Sequence, residues 1–411
     1  MATPLNLTGI TGLSPEREDV CTIEASCVTG FEAVAAEEVK TLLGCEAVTQ
    51  RGRVVFDMAV KDVKLLTRLK VVNCCWVMLG HEADMEYPNT EEAQMERLTS
   101  FVQNNLDWQK GLRVWQEFTG FSGEMYPEGD QVRETSTEDP QCKQIKLSPL
   151  SFRCTCYRTG NNHKFKSTEV QAAVGGKVHD MFHWKVSCKN YDLEFVINCD
   201  VLQVYCCLTL TNKSLYHRTV TDLGPCTLRP TIAAGLVMLA RPGPGDVILD
   251  PMCGGGTISL EGCQMGDQFH IGAEIHDMAV SRCRTNYSQL VLRNSLPAQP
   301  PADFLQWDCL LPCLRDNSVD VIVTDLPFGK RSGSKADNRV LYPNMLLAMA
   351  RVVRPDTGRA VLLTQDKNSM IKSIKKVEKY WKSTKFISTN VGGLTALVFL
   401  FRRTSSTPCD I

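Results

Sequence analysis

The stretch DVILDPMCGGGTISLEG, residues 246–262, decides the fold of the C-terminal half of this chain. An apolar run ends at Asp250, and three glycines follow before a helix-like segment begins. A strand, a glycine loop and a helix in this order bring the backbone close to a ligand at the carboxyl edge of a parallel sheet. The spacing fits a nicotinamide dinucleotide as well as S-adenosylmethionine. Asp250 favours the second, because a carboxylate repels a pyrophosphate and attracts an ammonium.

The residues beyond Pro225 alternate between strand-like and helix-like patterns, which predicts a doubly wound parallel sheet. The end of the chain differs from a plain dinucleotide fold. KFISTNV, the pair Gly392 and Gly393, and LTALVFLF predict a closing β-hairpin. A parallel sheet with an antiparallel last strand is typical of class I methyltransferases, so we predict an α/β, Rossmann-like, seven-stranded domain of this class.

Two further acids are predicted at strand tips beside the glycine loop. Glu274 ends the strand FHIGAE, 24 residues after Asp250, where a carboxylate can accept hydrogen bonds from both ribose hydroxyls. Asp308 follows the short strand FLQW and is placed to accept from an adenine amine. With Gly254 and Gly256, these three carboxylates predict an S-adenosylmethionine pocket.

The segment VIVTDLPFGKR, residues 321–331, places four candidate catalytic residues at the end of the fourth strand. An exocyclic amine on a base is a poor nucleophile. Asp325 can accept one of its hydrogens and the Leu326 carbonyl, held extended by Pro327, the other. Phe328 can stack on the base. Methylation of adenine N6 or of a glutamine amide is an alternative, but similar loops usually carry asparagine there. An acceptor-only aspartate suits the two adjacent donors of guanine, N1 and N2.

The N-terminal half predicts two smaller α+β units separated by a surface loop. Strand and helix patterns alternate over residues 20–80, and periodicity disappears over residues 119–148. Residues 151–190 contain seven Lys or Arg against two acids, and such a segment is either a nucleic-acid interface or a solvated helix face.

Composition sets the remaining limits. The chain has 411 residues, is 43% hydrophobic and carries a net charge of −1, which predicts a multi-domain globular protein. No basic, apolar leader opens the sequence and no apolar run of ~20 residues occurs, so we expect neither secretion nor membrane insertion, but a cytoplasmic protein with a nuclear pool left open. The 19 cysteines lie mostly in apolar strands and lack paired C-x-x-C motifs, so we expect reduced thiols and no metal site.

Four segments carry a family resemblance that covers most of the chain. DPMCGGGTISLEG, TDLPFGKRSGSK, TLRPTIAAG and TGRAVLLTQD together resemble the THUMP-domain RNA guanine-N2 methyltransferases. The resemblance implies a tail and ferredoxin-like domain over residues 1–88, a THUMP RNA-binding domain over 89–215 and the methyltransferase domain over 216–411. Leu326 departs from the family, which often has a second proline there.

The resemblance also implies a substrate and roles for individual residues. It implies N2 methylation of a guanosine in the tRNA acceptor stem, around position 6 or 7, with the THUMP domain gripping the 3′ end of the tRNA. Catalysis would fall to Asp325 and its neighbours, and cofactor binding to the glycine loop and Glu274. RNA contacts would come from Arg158, His163, Lys164, Lys166 and Arg331.

Alternatives and a partner complete the predictions. The chain could instead methylate another small structured RNA, or bind tRNA without catalysis, although the acids that catalysis needs are all present. A thiouridine synthetase is excluded because no S-G-G-x-D-S loop occurs. By resemblance we also expect a small zinc-ribbon activator subunit on the sheet edge around Phe304, Leu305 and Trp307, where the alternative is a helix or the segment PAQPPA covering that edge.

Overall fold

The structure is a computed structural model that describes residues 5–126, 150–161, 163–224, 226–293, 301–329 and 334–407. In these residues the chain forms fifteen β-strands, nine α-helices and a 3-10 helix at Val60–Arg68. The strands are β1 (Val20–Cys27), β2 (Ala47–Gln50), β3 (Arg53–Ala59), β4 (Val72–Ala83), β5 (Ser151–Arg158), β6 (Lys185–Val186), β7 (Leu193–Cys199), β8 (Gln203–Thr209), β9 (Val247–Asp250), β10 (Phe269–Glu274), β11 (Ala302–Gln306), β12 (Val321–Asp325), β13 (Arg359–Thr364), β14 (Trp381–Val391) and β15 (Leu394–Arg403). The helices are α1 (Glu32–Leu43), α2 (Glu91–Asn104), α3 (Trp108–Thr119), α4 (Ser167–Phe182), α5 (Pro230–Ala240), α6 (Thr257–Gly262), α7 (Asp277–Leu292), α8 (Lys335–Val352) and α9 (Lys367–Val377).

The chain divides into two compact units that interleave in sequence. The first comprises Met1–Ser26, Val39–Leu69 and Cys74–Lys213, and the second comprises Cys27–Glu38, Lys70–Asn73 and Ser214–Ile411. The predicted domain boundaries at 88/89 and 215/216 stay predictions.

The first unit is built on one eight-stranded sheet of order β2-β3-β1-β4-β8-β7-β5-β6. The pairs that β5 forms with β6 and with β7 are parallel, whereas the pairs β1–β3, β2–β3, β4–β8 and β7–β8 are antiparallel. Strand β8 is buried along its whole length, which explains its run of apolar residues. Side-chain caps start two helices, since Thr90 accepts from the amide of Ala93 at α2 and Asp107 from that of Lys110 at α3.

The second unit contains the predicted seven-stranded sheet, with order β11-β10-β9-β12-β13-β15-β14. Strands β9 to β13 pair in parallel, whereas β15 is antiparallel to both β13 and β14. The turn between β14 and β15 is made by Gly392 and Gly393, whose φ angles of 60° and 82° suit glycine. The prediction of a class I methyltransferase fold is therefore confirmed.

Burial places β12 at the centre of this sheet. Val321, Ile322 and Val323 have no exposed surface, and helix α8 covers their neighbourhood with Tyr342 and Met345, which are also fully buried. Because β12 is central and buried, the end of this strand can move little. The residues that follow β12 are thus held firmly at the carboxyl edge of the sheet.

Two predicted absences and one predicted loop concern the described part of the chain. No helix there is long and apolar enough to cross a membrane. No group of three or more potential metal ligands is found among the same residues. Most of the predicted loop at 119–148 lies outside the described residues, which stop at Tyr126 before resuming at Leu150. A cytoplasmic location stays a prediction.

Candidate active site

The glycine loop between β9 and α6 combines backbone constraint with open space. Gly254 and Gly256 adopt φ angles of 54° and 82°, a region that favours glycine. A Cβ atom at Gly256 would lie 2.9 Å from the ring of Phe304, whereas one at Gly254 would meet no atom within 4 Å. Packing against Phe304 therefore requires glycine at position 256. The open space beside Gly254 allows a ligand to approach the backbone.

The three acids predicted to bind the cofactor follow three neighbouring strands. Asp250 ends β9 and Glu274 ends β10, and Asp308 follows β11, which pairs with β10. Glu274 is fixed by backbone amides, since Oε2 accepts from Gly254 (3.1 Å) and Oε1 from Ile275 (3.0 Å). The Asp308 carboxylate accepts from the amide of Leu310 at 2.9 Å. The structure thus brings these acids to one edge beside the glycine loop.

Asp250 is the most buried of these acids. It is 2% exposed, and its Oδ1 accepts from the Thr324 hydroxyl at 2.6 Å and from the Met252 amide at 3.2 Å. Burial raises the pKa of Asp250 to about 7 despite these two hydrogen bonds, and the charge of Glu274 adds to the rise. A cation bound next to Asp250 would favour its ionised form, so the residues present fit the ammonium of S-adenosylmethionine.

The loop predicted to be catalytic, which we call the catalytic loop, follows β12, between the predicted cofactor acids and β13. The Oδ1 atom of Asp325 is buried and has no hydrogen-bond partner among the described residues. Burial and then the charge of Asp250 raise the pKa of Asp325 well above its ordinary value. Buried carboxylate oxygens are rarely left without a partner. This atom is therefore the clearest place for a ligand's N–H group.

The three residues that follow Asp325 differ in burial, and their catalytic roles stay predictions. Leu326 is 1% exposed, and its amide donates to the Leu363 carbonyl at 2.9 Å, so its side chain belongs to the core. Pro327 and Phe328 are half-buried, and Gly329 turns the chain with a φ angle of 70°. Stacking of Phe328 on a base stays a prediction.

Two residues that the sequence analysis missed hold this loop from helix α8. The Tyr342 hydroxyl donates to the Pro327 carbonyl at 2.6 Å, and the Nδ2 atom of Asn338 donates to the same carbonyl at 3.0 Å. Asn338 also donates to Asp366 Oδ2 at 3.2 Å, and Thr364 lies 2.8 Å from the Tyr342 hydroxyl. We call Tyr342 and Asn338 the loop clamp. The clamp occupies the Pro327 carbonyl and does not use that of Leu326.

Replacing Tyr342 with phenylalanine is expected to lower kcat by about 5- to 10-fold, the worth of one hydrogen bond that orients a reacting group. The KM for S-adenosylmethionine should stay unchanged, because the clamp does not contact the cofactor acids. Steady-state kinetics and a thermal unfolding curve together make the test. An unchanged kcat with a lowered unfolding temperature would show that the hydroxyl serves stability alone.

The predicted RNA-binding residues divide into exposed and buried ones. Arg158, Lys164 and Lys166 are exposed, and Lys166 lies 3.5 Å from Glu169 at the start of α4. His163 is 8% exposed, and its ring lies edge-on 4.6 Å from Tyr87. Burial lowers the pKa of His163, which is the least accessible of these residues among those described, and its contact with RNA stays a prediction. Arg331 lies outside the described residues.

Arg158 belongs to a pocket on the sheet of the first unit. The pocket has a volume of about 610 Å³, and Arg51 and Arg53 also line it. Arg53 forms an ion pair with the buried Glu24, and Asp200 also lines the pocket, so two acids offset two of the three positive charges. The pocket thus presents net positive charge next to the exposed lysines of the 159–166 loop.

Fold and site together define a class I methyltransferase, whose cofactor is S-adenosylmethionine. Comparisons with known proteins agree. Residues 218–396 match the RMKL-like methyltransferase domain, and residues 132–211 match the THUMP domain. The solved structure of TrmN from Thermus thermophilus superposes with a TM-score of 0.71 at 19% identity, covering 93% of this chain and 99% of that one. A putative methyltransferase solved with SAH superposes with a TM-score of 0.66 at 16% identity, covering 93% and 98%.

Similarity to curated proteins is closer. The chain is 35% identical to tRNA (guanine(6)-N(2))-methyltransferase THUMP3 of Bos taurus, over 93% of this chain and 88% of that protein. It is 34% identical to the protein of the same name from Homo sapiens, over 95% and 90%. U6 snRNA (guanine-N(2))-methyltransferase THUMPD2 of Bos taurus is 26% identical over 71% of this chain and 55% of that protein. The chain belongs to the family of THUMP-domain guanine-N2 methyltransferases.

Proposed function

We propose that this protein transfers a methyl group from S-adenosylmethionine to the exocyclic N2 of the guanosine at position 6 in the acceptor stem of tRNA. The unpartnered, buried Oδ1 of Asp325 carries the proposal, because guanine presents adjacent N1 and N2 donors to an acceptor-only group. The names of the relatives that are 34–35% identical support position 6.

In the proposed reaction the Asp325 carboxylate accepts a hydrogen bond from one N2–H of the guanine, and the Leu326 carbonyl accepts a hydrogen bond from the other N2–H. S-adenosylmethionine supplies an electrophilic methyl group on its sulfonium. The N2 lone pair forms the new N–C bond as the methyl–sulfur bond breaks and its electrons stay on sulfur, and Asp325 accepts the proton that N2 then loses. The loop clamp holds Pro327, and through it the two acceptors, in place.

The direct test removes the nucleophile from the RNA. A tRNA with inosine at position 6 lacks the 2-amino group and should yield no methylated product, whereas inosine at another acceptor-stem position should leave the reaction intact. Nucleoside mass spectrometry identifies the product as N2-methylguanosine. Methylation of the position-6 inosine tRNA would contradict the proposal, and a preference for U6 snRNA over tRNA would favour the other substrate found among the relatives.

The exposed lysines of the first unit are proposed to contact tRNA phosphates. Replacing Lys164 and Lys166 with alanine should weaken tRNA binding several-fold and reduce its salt dependence by about one to two units of slope. S-adenosylmethionine affinity serves as the control and should not change. A salt slope equal to that of the wild type would show that both lysines are solvent-exposed surface residues that do not contact tRNA.

A small zinc-ribbon activator bound to edge strand β11 is the second part of the proposal. Strand β11 is outermost in the sheet, which supports the predicted position. The predicted open apolar row is not found, because Phe304 and Trp307 are 7% and 8% exposed and Leu305 is half-buried. Backbone pairing along β11 therefore supports a partner better than apolar contact does. A fully active isolated chain that Leu305→Asp leaves unaffected would argue against the activator.

A further inference from the structure

A basic pocket lies between helices α8 and α9 of the second unit, apart from the cofactor acids. It has a volume of about 470 Å³, which is within the range of small-ligand sites. Four cations line it: Lys335 and Arg339 from α8, and Lys372 and Lys375 from α9. We call this cavity the α8–α9 pocket.

The helix spacing explains why these four cations converge. Residues four apart on a helix lie on one face, as Lys335 and Arg339 do on α8, and residues three apart do the same, as Lys372 and Lys375 do on α9. All four side chains are exposed, and within the described ranges none of them forms an ion pair with a carboxylate. Their charge is available to a bound anion.

Among the described residues, Asp366 is the one acid that lines the pocket, and its carboxylate already accepts hydrogen bonds from protein groups. Burial alone would raise its pKa, but hydrogen bonds from Ser369 and Asn338 hold the pKa of Asp366 below its ordinary value. The Ser369 amide donates to Oδ1 at 3.1 Å, and Asn338 donates to Oδ2 at 3.2 Å. The pocket keeps three net positive charges with Asp366 ionised.

The position of the pocket relates it to the reaction. Strand β12 lies between β9, on the cofactor side, and β13 on the other side. Asp325 pairs in register with Leu363 of β13, and Asp366 follows two residues after that strand ends. Through Asn338, the floor of the pocket is connected by two hydrogen bonds to the Pro327 carbonyl of the catalytic loop. The pocket therefore adjoins the catalytic loop on the side away from the cofactor acids.

We infer that the α8–α9 pocket binds backbone phosphates of the RNA strand that carries the target guanosine. The inference rests on the proposed function, which supplies a polyanionic substrate whose reactive base must reach Asp325. Phosphate contacts of this kind fix the register of a nucleic acid without reading its sequence. By fixing the strand on the far side of the catalytic loop, the pocket orients the base between the phosphates and the cofactor.

The test compares two double variants of the full-length chain with the same loss of charge. The Lys372→Ala/Lys375→Ala variant removes the two positive charges that α9 contributes to the pocket. Lys382→Ala/Lys385→Ala removes two exposed lysines of β14, in the same unit, that do not line it. For each protein one measures tRNA affinity at several salt concentrations, the rate of N2-methylguanosine formation, and S-adenosylmethionine affinity by calorimetry.

The pocket variant should bind tRNA about tenfold more weakly with a salt slope lower by about one to two units, and should methylate more slowly at limiting tRNA. The control variant should resemble the wild type, and all three proteins should bind S-adenosylmethionine equally. Equal losses in both variants, or none in the pocket variant, would overturn the inference. So would a pocket variant that binds tRNA normally but loses an acidic protein partner, since the pocket would then be a protein-docking site. If pocket-dependent RNA binding is found but the wild type forms no N2-methylguanosine, the proposed function fails and the phosphate site stands.

Discussion

Replacing Asp325 with alanine is expected to lower kcat by at least ~100-fold, the usual contribution of a positioned proton acceptor. The buried Oδ1 of Asp325 has no partner among the described residues, so the substitution removes the acceptor that we propose for the substrate amine. Affinity for S-adenosylmethionine should change little, because Asp250 and Glu274 remain at their strand tips.

Asp325→Asn is the matched variant, because it keeps the shape of the side chain and removes the acidic group. It should lose nearly as much activity as alanine. The wild-type rate should also fall as pH falls, since burial raises the pKa of Asp325 and the protonated carboxyl accepts no proton. At saturating S-adenosylmethionine, whose ammonium keeps Asp250 ionised, the asparagine variant should lack this acidic limb. A parallel loss of cofactor affinity in both variants would place Asp325 in the cofactor site instead.

Replacing Glu274 with glutamine should have the opposite signature. The dissociation constant for S-adenosylmethionine should rise by about 10- to 150-fold, since a hydrogen bond to a charged group contributes about 1.5–3 kcal/mol. Glutamine can still accept from the Gly254 amide, which the wild-type carboxylate does at 3.1 Å, so the glycine loop should keep its conformation. At saturating cofactor kcat should stay near the wild-type value.

Asp277→Asn provides the control for charge alone. Asp277 begins α7 close to Glu274 in sequence, and its Oδ1 accepts from the Met278 amide at 2.7 Å. Calorimetry should show little change in this variant. Equal weakening by both substitutions would mean that Glu274 acts through general electrostatics and not through contact with the ribose.

The fold of the second unit could be predicted well from local pattern. Apolar runs that end in Asp250, Glu274 and Asp325 identified three parallel strands, and such strands share one carboxyl edge. The glycine pair between β14 and β15 identified the antiparallel ending. The family resemblance added the RNA-binding domain and the substrate, which strand patterns do not encode.

Side-chain direction is a feature that the sequence of the basic segment did not show. His163 stands beside exposed lysines in sequence, but its ring packs on Tyr87, 76 residues earlier in the chain. Two adjacent residues in a loop can face opposite ways, and only the packing of distant residues decides which of them is buried. For the same reason Phe304 of β11 and Trp307, which follows that strand, are buried.

The sequence by itself therefore determined the order of strands and helices and the acids at the strand tips, because both depend on periodicity over a few neighbouring residues. The glycine loop and the charge of Asp250 indicated the class of reaction. The tertiary structure alone decided that Asp325 keeps an unpartnered buried oxygen, that α8 clamps Pro327 and that four cations surround one pocket. These features arise where helices pack on a sheet and bring distant residues together. Asn338, for example, is 11 positions from Pro327 and 28 positions from Asp366 in the sequence. Packing sets the rotation of a helix about its axis, and no local pattern records that angle.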